Sequence, residues 1–247
     1  MDELGGKDLQ QTLTGEMLFL QLMGKLWITY PNSENKEWFF SLLDKELFSE
    51  APFANAQRDV QEGMRLIREW IDENQSLSKD DLLLELQSDY SGLFICANKI
   101  TAPPWESVYR SKERLVMQDD TLKIRKFYRK YGLVLEHDHT EPDDHIGYEL
   151  LFAAFLTQKM LQASEAGDSS AFQKFREGRL TFLSEHLLQW SLLFCSRVDR
   201  YAKTKFYAGL SRLQRSISLE LAENYGITLL LPDELGVDVK PEMVYSK

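Results

Sequence analysis

Small and apolar residues recur along most of the chain at intervals of three and four positions. The first clear series is Leu13, Met17, Leu20, Gly24 and Trp27, with charged residues on the opposite face. Later series of the same kind are Val60, Met64, Ile67 and Ile71, and Phe206, Leu210, Leu213, Ile217 and Leu221. This period predicts amphipathic α-helices. No alternating β-branched run stands out apart from the isolated segment 227–231, so the sequence predicts an all-α protein.

Several helix ends are marked by capping residues. Ser78, followed by acidic residues, predicts the start of a helix that runs to about Phe94. Asp168 or Ser169 is expected to cap a helix rich in phenylalanine, and Gly226 is expected to end the last long helix in the C′ position. These signals are local, because a cap bonds to backbone groups within one turn.

The domain organisation follows from the absence of strong breaks. The chain has no internal repeat and no low-complexity linker, and its weak boundaries at residues 30–34, 49–55 and 163–170 do not separate parts of different composition. We therefore expect a single globular, bundle-like helical domain over residues 1–226 and an irregular tail over residues 227–247.

Composition and charge restrict the class of protein. The hydrophobic content of 43% and the charged content of 28% are those of a soluble globular protein. No signal peptide is visible, and the longest apolar run, residues 150–156, is far shorter than the ~20 residues of a membrane span. Cys96 and Cys195 both lie in apolar surroundings, which favours a reducing, cytoplasmic location and a core role. A net charge of −10 argues against nucleic acid as a partner.

The segment over residues 141–156 is the most informative part of the sequence. Pro142 suits the first turn of a helix, where acidic neighbours such as Asp143 and Asp144 would favour the positive end of the helix dipole. His145 is expected to stay neutral in that position unless a carboxylate offsets the dipole. The rest of the segment is apolar on every side, which predicts a buried helix with a polar tip. This tip is a candidate site, and the alternative is an ordinary capped core helix.

A long connection precedes this segment. About twenty residues separate the helix that ends near Phe94 from the next predicted helix near Leu115, and loops of this length inside compact domains are usually functional or mobile. Pro103 and Pro104 stiffen the connection and present Trp105 and Tyr109, which suits recognition of a peptide. The alternative is that both aromatic rings only anchor the loop to the core.

Other candidate chemistry is weaker. A cluster at residues 137–145 contains the possible metal ligands His137, His139, Glu141, Asp143, Asp144 and His145, but its spacing matches no recognised metal motif. No nucleophile elbow, phosphate-binding glycine loop or dinucleotide fingerprint is present. The basic run over residues 123–130 has apolar residues on one face, as in a solvated amphipathic helix. We therefore expect no catalytic residue, no cofactor and no tightly held metal.

Three motifs together resemble the TorD/DmsD family of cytoplasmic chaperones for molybdoenzyme maturation. They are Pro103-Pro104-Trp105-Glu106-Ser107-Val108-Tyr109, then Glu141-Pro142-Asp143-Asp144-His145-Ile146-Gly147-Tyr148-Glu149-Leu150, then Phe182-Leu183-Ser184-Glu185-His186-Leu187-Leu188-Gln189-Trp190. Their order and spacing agree with that family, as does helical patterning over nearly the whole chain.

The resemblance implies a protein without enzymatic activity that binds the twin-arginine leader and the apoprotein of a molybdoenzyme subunit until its cofactor is inserted. Carried over by position, it implies leader contacts from Tyr90, Leu93, Phe94, Pro104, Trp105, Asp144 and His145. Asp144 is expected to receive the cationic part of the leader, because arginine–carboxylate contacts are directional. As an exposed first-turn charge, it is expected to be replaceable by Asn with little effect on the fold.

Two other functions stay open from the sequence, a metal-dependent hydrolase that uses the cluster at residues 137–145 and a generic helical interaction scaffold. The resemblance also implies no stable membrane insertion and either a monomer or a helix-swapped dimer. It leaves the client enzyme and the binding of guanine nucleotide undetermined.

Overall fold

The computed structural model describes residues 3–42, 58–95, 100–110, 119–135 and 141–229. In these residues the α-helices are α1 (Glu3–Ile28), α2 (Lys36–Leu42), α3 (Arg58–Glu73), α4 (Lys79–Tyr90), α5 (Glu106–Arg110), α6 (Asp119–Lys130), α7 (Ile146–Glu165), α8 (Ser169–Glu185), α9 (Ser191–Tyr201) and α10 (Lys205–Tyr225). A π-helical turn, Ser91–Ile95, continues α4, and a 3₁₀ turn, Leu187–Gln189, follows α8. The described part of the chain contains no β-strand, only an isolated bridge between Trp105 and His145. The all-α prediction is confirmed.

The described residues form two compact units, and each is discontinuous in sequence. The first unit contains residues 3–28, 105–110, 119–135, 141–190 and 224–229. The second unit contains residues 29–42, 58–95, 100–104 and 191–223. The division between a helical domain over residues 1–226 and a tail stays a prediction, since residues 230–247 lie outside the described part.

The predicted helix ends are confirmed where capping residues marked them. The Ser78 hydroxyl accepts a hydrogen bond from the N–H of Asp81 at the start of α4, and the Asp168 carboxylate caps α8 by accepting from Ala171. Gly226 follows α10 with φ of +62°, a conformation that favours glycine. Helix α4 also continues into the π-helical turn, so the helical segment ends close to the predicted position.

Two predicted boundaries are wrong, and both concern the regions singled out as candidate sites. Helix α7 begins at Ile146 with His145 as its N-cap, so Pro142 lies before the helix and not in its first turn. The long connection after Phe94 contains the short helix α5, which begins directly after Trp105. The start of α5 depends on a distant residue, because the N–H of Ser107 donates to Asp144, which lies 37 positions later in the sequence.

In the first unit, α1 packs closely against α7 because both helices carry glycine at the contact. A Cβ atom added at Gly24 would lie 2.9 Å from the carbonyl oxygen of Gly147, and one added at Gly147 would lie 2.7 Å from the carbonyl oxygen of Gly24. Beyond this contact the first half of α7 is largely buried, with Leu150, Ala153, Ala154 and Leu156 fully inaccessible to solvent. The prediction of a buried apolar helix is confirmed.

A buried ion pair also stabilises the first unit. The guanidinium of Arg179 on α8 lies 2.6 Å from the carboxylate of Glu16 on α1, and both side chains are almost fully buried. Tyr225 donates a hydrogen bond to the same carboxylate at 3.2 Å, and its ring lies 4.7 Å below the guanidinium. The pair therefore joins three helical segments that are distant in sequence.

The second unit is organised around a buried carboxylate. Asp89 on α4 accepts hydrogen bonds from the main-chain N–H groups of Lys203 and Thr204 and from the Thr204 hydroxyl, so it fixes the start of α10. Cys195 is buried, and burial raises the pKa of its thiol above the ordinary value, in agreement with the predicted core role. Cys96 lies outside the described residues.

Candidate functional site

The first two sequence motifs contact each other directly in the first unit. Trp105 and His145 form the isolated antiparallel bridge, and the N–H of Glu106 donates to the carbonyl oxygen of Asp144 at 3.0 Å. The N–H of Ser107 donates to Oδ2 of Asp144 at 2.9 Å. Asp144 therefore satisfies two of the free N–H groups at the start of α5, the role of an N-cap supplied from another segment.

Asp144 is buried, which contradicts the expectation of an exposed first-turn charge. Its side chain has no solvent exposure, and its Oδ1 accepts a hydrogen bond from the Thr121 hydroxyl at 3.0 Å. Desolvation raises the pKa of the carboxyl, while the hydrogen bonds from Ser107 and Thr121 oppose the rise. Both oxygens are engaged within the protein, so a direct contact between Asp144 and an arginine would require these bonds to change.

His145 is a neutral N-cap for α7. Its Nδ1 accepts a hydrogen bond from the N–H of Gly147 at 3.0 Å, and the side chain is 1% exposed. Because Nδ1 accepts, the proton of the neutral ring is on Nε2. Burial lowers the pKa of His145 to about 3. The prediction of a neutral histidine is confirmed, although the residue caps the helix and does not stand inside its first turn.

Trp105 is held beside Glu141, the first residue of the second motif. The indole N–H donates to Oε2 of Glu141 at 3.1 Å, and the ring is 8% exposed. Glu141 itself is half-buried, and desolvation raises the pKa of its carboxyl. The tryptophan thus anchors its segment, as the alternative interpretation proposed, and it also orients a carboxylate that keeps access to solvent.

Asp143 has a cationic partner inside the chain. Arg125 on α6 donates to its carboxylate through Nε at 2.8 Å and through Nη2 at 2.5 Å. The hydroxyl of Tyr128 donates to the main-chain oxygen of Asp143 at 3.1 Å. In the described part of the chain no lysine or arginine pairs with Glu141, so this carboxylate differs from Asp143 in having no partner of opposite charge and from Asp144 in keeping access to solvent.

The third motif joins the same network through His186. Its Nδ1 lies 3.0 Å from Oε2 of Glu106, a fully buried carboxylate on α5. Arg110 also pairs with Glu106 and donates to the main-chain oxygen of Glu185. The end of α8 is thereby attached to α5.

Glu149 and Trp190 form a second link between the motifs. The Trp190 indole N–H donates to Oε2 of Glu149 at 3.1 Å, and both side chains are fully buried. Desolvation, followed by the nearby charge of Glu106, raises the pKa of Glu149 well above its ordinary value. Burial therefore favours the protonated form of Glu149.

From the sequence, Glu106 and Glu149 were not expected to be site residues, and Glu141 was named only as a possible metal ligand. The only indication in the sequence was that each of these carboxylates lies inside one of the three motifs, and that Glu149 has apolar neighbours. Sequence spacing alone could not show which carboxylates meet, because the partners come from segments separated by 36 to 80 positions.

Four of the predicted leader contacts lie in the second unit and are packed as core residues. Tyr90 and Phe94 make an edge-to-face ring contact at 4.8 Å, and the carbonyl oxygen of Leu93 accepts from the N–H of Ala102 at 3.0 Å. All three side chains are 5% exposed or less, and Pro104 is buried as well. Their role in leader binding stays a prediction.

The possible metal ligands are engaged in other contacts. Asp143 pairs with Arg125, Asp144 bonds to Ser107 and Thr121, and Nδ1 of His145 accepts from the backbone. The described residues contain no group of three or more His, Cys, Asp or Glu side chains that could hold a metal. His137 and His139 lie outside the described residues, so the expectation of no bound metal stays a prediction.

A family described as nitrate reductase delta subunit matches residues 54–196, which include all three motifs. The chain belongs to this family. The resemblance to TorD and DmsD proteins is confirmed, since both names occur among its relatives.

Three relatives illustrate the similarity. The chain is 30% identical over 139 residues to the Haemophilus influenzae "Probable Tat proofreading chaperone DmsD", covering 56% of this chain and 61% of that protein. It is 30% identical over 141 residues to the Aliivibrio salmonicida "Chaperone protein TorD", covering 56% and 63%. It is 32% identical over 156 residues to the Salmonella paratyphi A "Tat proofreading chaperone DmsD", covering 63% and 66%.

These matches span less than two thirds of the length of each relative. The relatives are named as chaperones, which confirms the prediction of a chaperone family over an enzyme family. No helix in the described ranges has both the length and the apolar character needed to cross a membrane.

Proposed function

We propose that this chain is a cytoplasmic, non-enzymatic chaperone that binds the twin-arginine leader and the body of a molybdoenzyme subunit. It would hold the subunit until its cofactor is inserted and delay its export until then. Family membership and the naming of relatives as Tat proofreading chaperones support the class of function. Binding of a leader needs, in addition, a surface that accepts arginine.

The observation that carries this proposal is the pair formed by Glu141 and Trp105. Glu141 is half-buried and has no cationic partner in the described residues, while the indole of Trp105 fixes one of its oxygens at 3.1 Å. A carboxylate held in place and partly desolvated binds a guanidinium better than a mobile, hydrated one. We therefore assign the arginine contact to Glu141, and we assign Asp144 and His145 the role of positioning the segment that carries it.

This assignment explains how Asp144 and His145 would matter without touching the leader. Asp144 holds the segment against α5 through Ser107, and His145 ends the same segment at the start of α7. Loss of either side chain would displace Trp105 and Glu141 together. Such a variant is expected to lose leader affinity and stability in parallel, unlike a variant of Glu141.

The test is a titration of the chain with a labelled twin-arginine leader peptide. Glu141→Gln keeps the size of the side chain and its bond to Trp105 and removes the charge, so we expect a loss of about tenfold or more in affinity with an unchanged melting temperature. Glu177→Gln, at an exposed position on α8, is the matched control and should have no effect.

Peptide controls separate this proposal from a generic scaffold. A leader with both arginines replaced by glutamine should bind wild type and Glu141→Gln equally weakly. Equal binding of the native and substituted leaders by the wild type would contradict leader recognition. A normal affinity for Glu141→Gln, with preference for the arginines intact, would contradict only the assignment to Glu141.

A further inference from the structure

A strongly basic cleft lies in the first unit, apart from Glu141 and the leader contacts. Its volume is about 690 Å³, which is within the range of pockets that take a small molecule or a few peptide residues. It is lined by Arg110, Lys123, Lys126, Phe127, Lys130, Ser184, Glu185, His186 and Gln189. Among these lining residues four side chains are permanently cationic and one is a carboxylate, in a chain of net charge −10.

The cleft is built from helix positions that share one face. Lys123, Lys126, Phe127 and Lys130 occupy successive turns of α6, so their side chains point to the same side. The opposite wall is the end of α8 and the residues after it. Arg110 of α5 is bonded to the second wall, because it donates to the carbonyl oxygen of Glu185, and it also pairs with Glu106 on its own helix.

The positive charge of this cleft is only partly neutralised inside the protein. Lys126 is exposed and has no ion pair among the described residues. The ammonium group of Lys130 lies 5.7 Å from the centre of the Phe127 ring and 5.6 Å from that of Tyr131. His186, which also lines the cleft, is held by its bond to Glu106 at 3.0 Å. The cleft thus offers the ammonium groups of Lys126 and Lys130 to a ligand.

We propose that this cleft binds a short acidic segment of a partner protein, in which carboxylates flank an apolar side chain. Its carboxylates would meet Lys126 and Lys130, and its apolar side chain would pack on Phe127. A twin-arginine leader carries the wrong charge for this site, so the inference is independent of the proposed leader binding. A nucleic acid fits less well, because the chain as a whole repels a long polyanion.

The experiment uses the full chain and a short labelled peptide in which glutamates flank one phenylalanine. We expect binding that weakens with salt. Lys126→Glu/Lys130→Glu should weaken it by about tenfold or more, because two attractive contacts become repulsive. Lys126→Ala/Lys130→Ala should weaken it in the same direction and is available if the charge reversal impairs folding.

The matched control is Lys174→Glu/Arg176→Glu on α8. It changes the net charge by the same amount at two exposed positions, and Lys174 stacks on Phe175 at 5.7 Å, as Lys130 does on Phe127. This control should bind the peptide as the wild type does. Equal weakening by both double variants would overturn the proposal, since net charge alone would then explain the binding.

Further arms test the class of ligand. A peptide with lysine in place of glutamate should not bind, and the cleft variants should bind the twin-arginine leader normally. Tighter binding of a short RNA or of pyrophosphate than of the acidic peptide, lost in the cleft variant, would overturn the proposal in favour of a phosphate ligand. No binding of the acidic peptide at low ionic strength would also overturn it.

Discussion

The carboxylate of Asp144 and the main-chain N–H of Ser107 are joined by a 2.9 Å hydrogen bond in the interior of the protein. The two residues are 37 positions apart and belong to the first and the second of the three sequence motifs. Asp144 thereby caps a helix other than the one it precedes. The second motif therefore has a structural role, and mutation of Asp144 is expected to change the stability of the protein.

Asp144→Ala is expected to lower the free energy of unfolding by about 1–3 kcal/mol, because it leaves the buried donors of Ser107 and Thr121 without an acceptor. Asp144→Asn should cost less than this, since its amide can accept from Ser107 and donate to Thr121. Urea unfolding of both variants measures these changes. A fully stable Asp144→Ala variant would contradict the buried geometry.

His145 is expected to make the protein less stable in acid. Its pKa in the folded state is about 3, compared with an ordinary value of 6.5, so the unfolded chain takes up a proton well before the folded one. The stability contributed by the neutral ring is present above pH 6.5 and is lost as the pH falls towards 3.

His145→Asn isolates this effect, because asparagine can still accept from the N–H of Gly147 but does not titrate. Between about pH 7 and pH 5, the wild type should lose about 2 kcal/mol more stability than the variant. Denaturant midpoints at both pH values provide the comparison. If the stability of the wild type and that of the variant change equally with pH, His145 takes up a proton as readily in the folded state as in the unfolded state.

Gly24→Ala is expected to destabilise the protein by about 1–3 kcal/mol, because its Cβ would lie 2.9 Å from the carbonyl oxygen of Gly147, a main-chain atom that cannot rotate away. Gly15→Ala is the matched control on the same helix. It has no atom within 4 Å of the added Cβ and should stabilise the protein by about 0.5–1 kcal/mol through helix propensity. Thermal melts measure both changes. A rise in melting temperature for Gly24→Ala as well as for Gly15→Ala would contradict the close approach of α1 and α7.

The buried pair of Glu16 and Arg179 gives a further prediction. Glu16→Gln removes the counter-charge of a guanidinium that is 1% exposed, and such a loss costs about 3–5 kcal/mol. Glu16→Leu/Arg179→Met removes both charges and should recover most of that loss. Glu62→Gln, in an exposed pair with Arg65, should change stability little. If the double variant does not recover stability, the hydroxyl of Tyr225, which bonds to both Glu16 and Arg179, requires these polar partners.

The sequence by itself determined the helical class, the family and those helix ends that a capping residue marks. Amphipathic periodicity gave the helices, and Ser78 and Asp168 gave their starts, because a cap bonds to an N–H only three residues later. Such interactions lie within one turn, so the linear sequence contains both partners. The neutral state of His145 was expected from its place at a helix start, but in the folded chain burial, which depends on the tertiary structure, lowers its pKa.

Only the tertiary structure decided what the acidic residues before α7 do. From the sequence, Asp143, Asp144 and Glu141 were similar negative charges near a helix start. In the folded chain Asp143 meets Arg125, Asp144 meets Ser107 and Thr121, and Glu141 meets Trp105. The environment of a charge depends on which distant segments pack around it, and spacing along the chain does not contain that information.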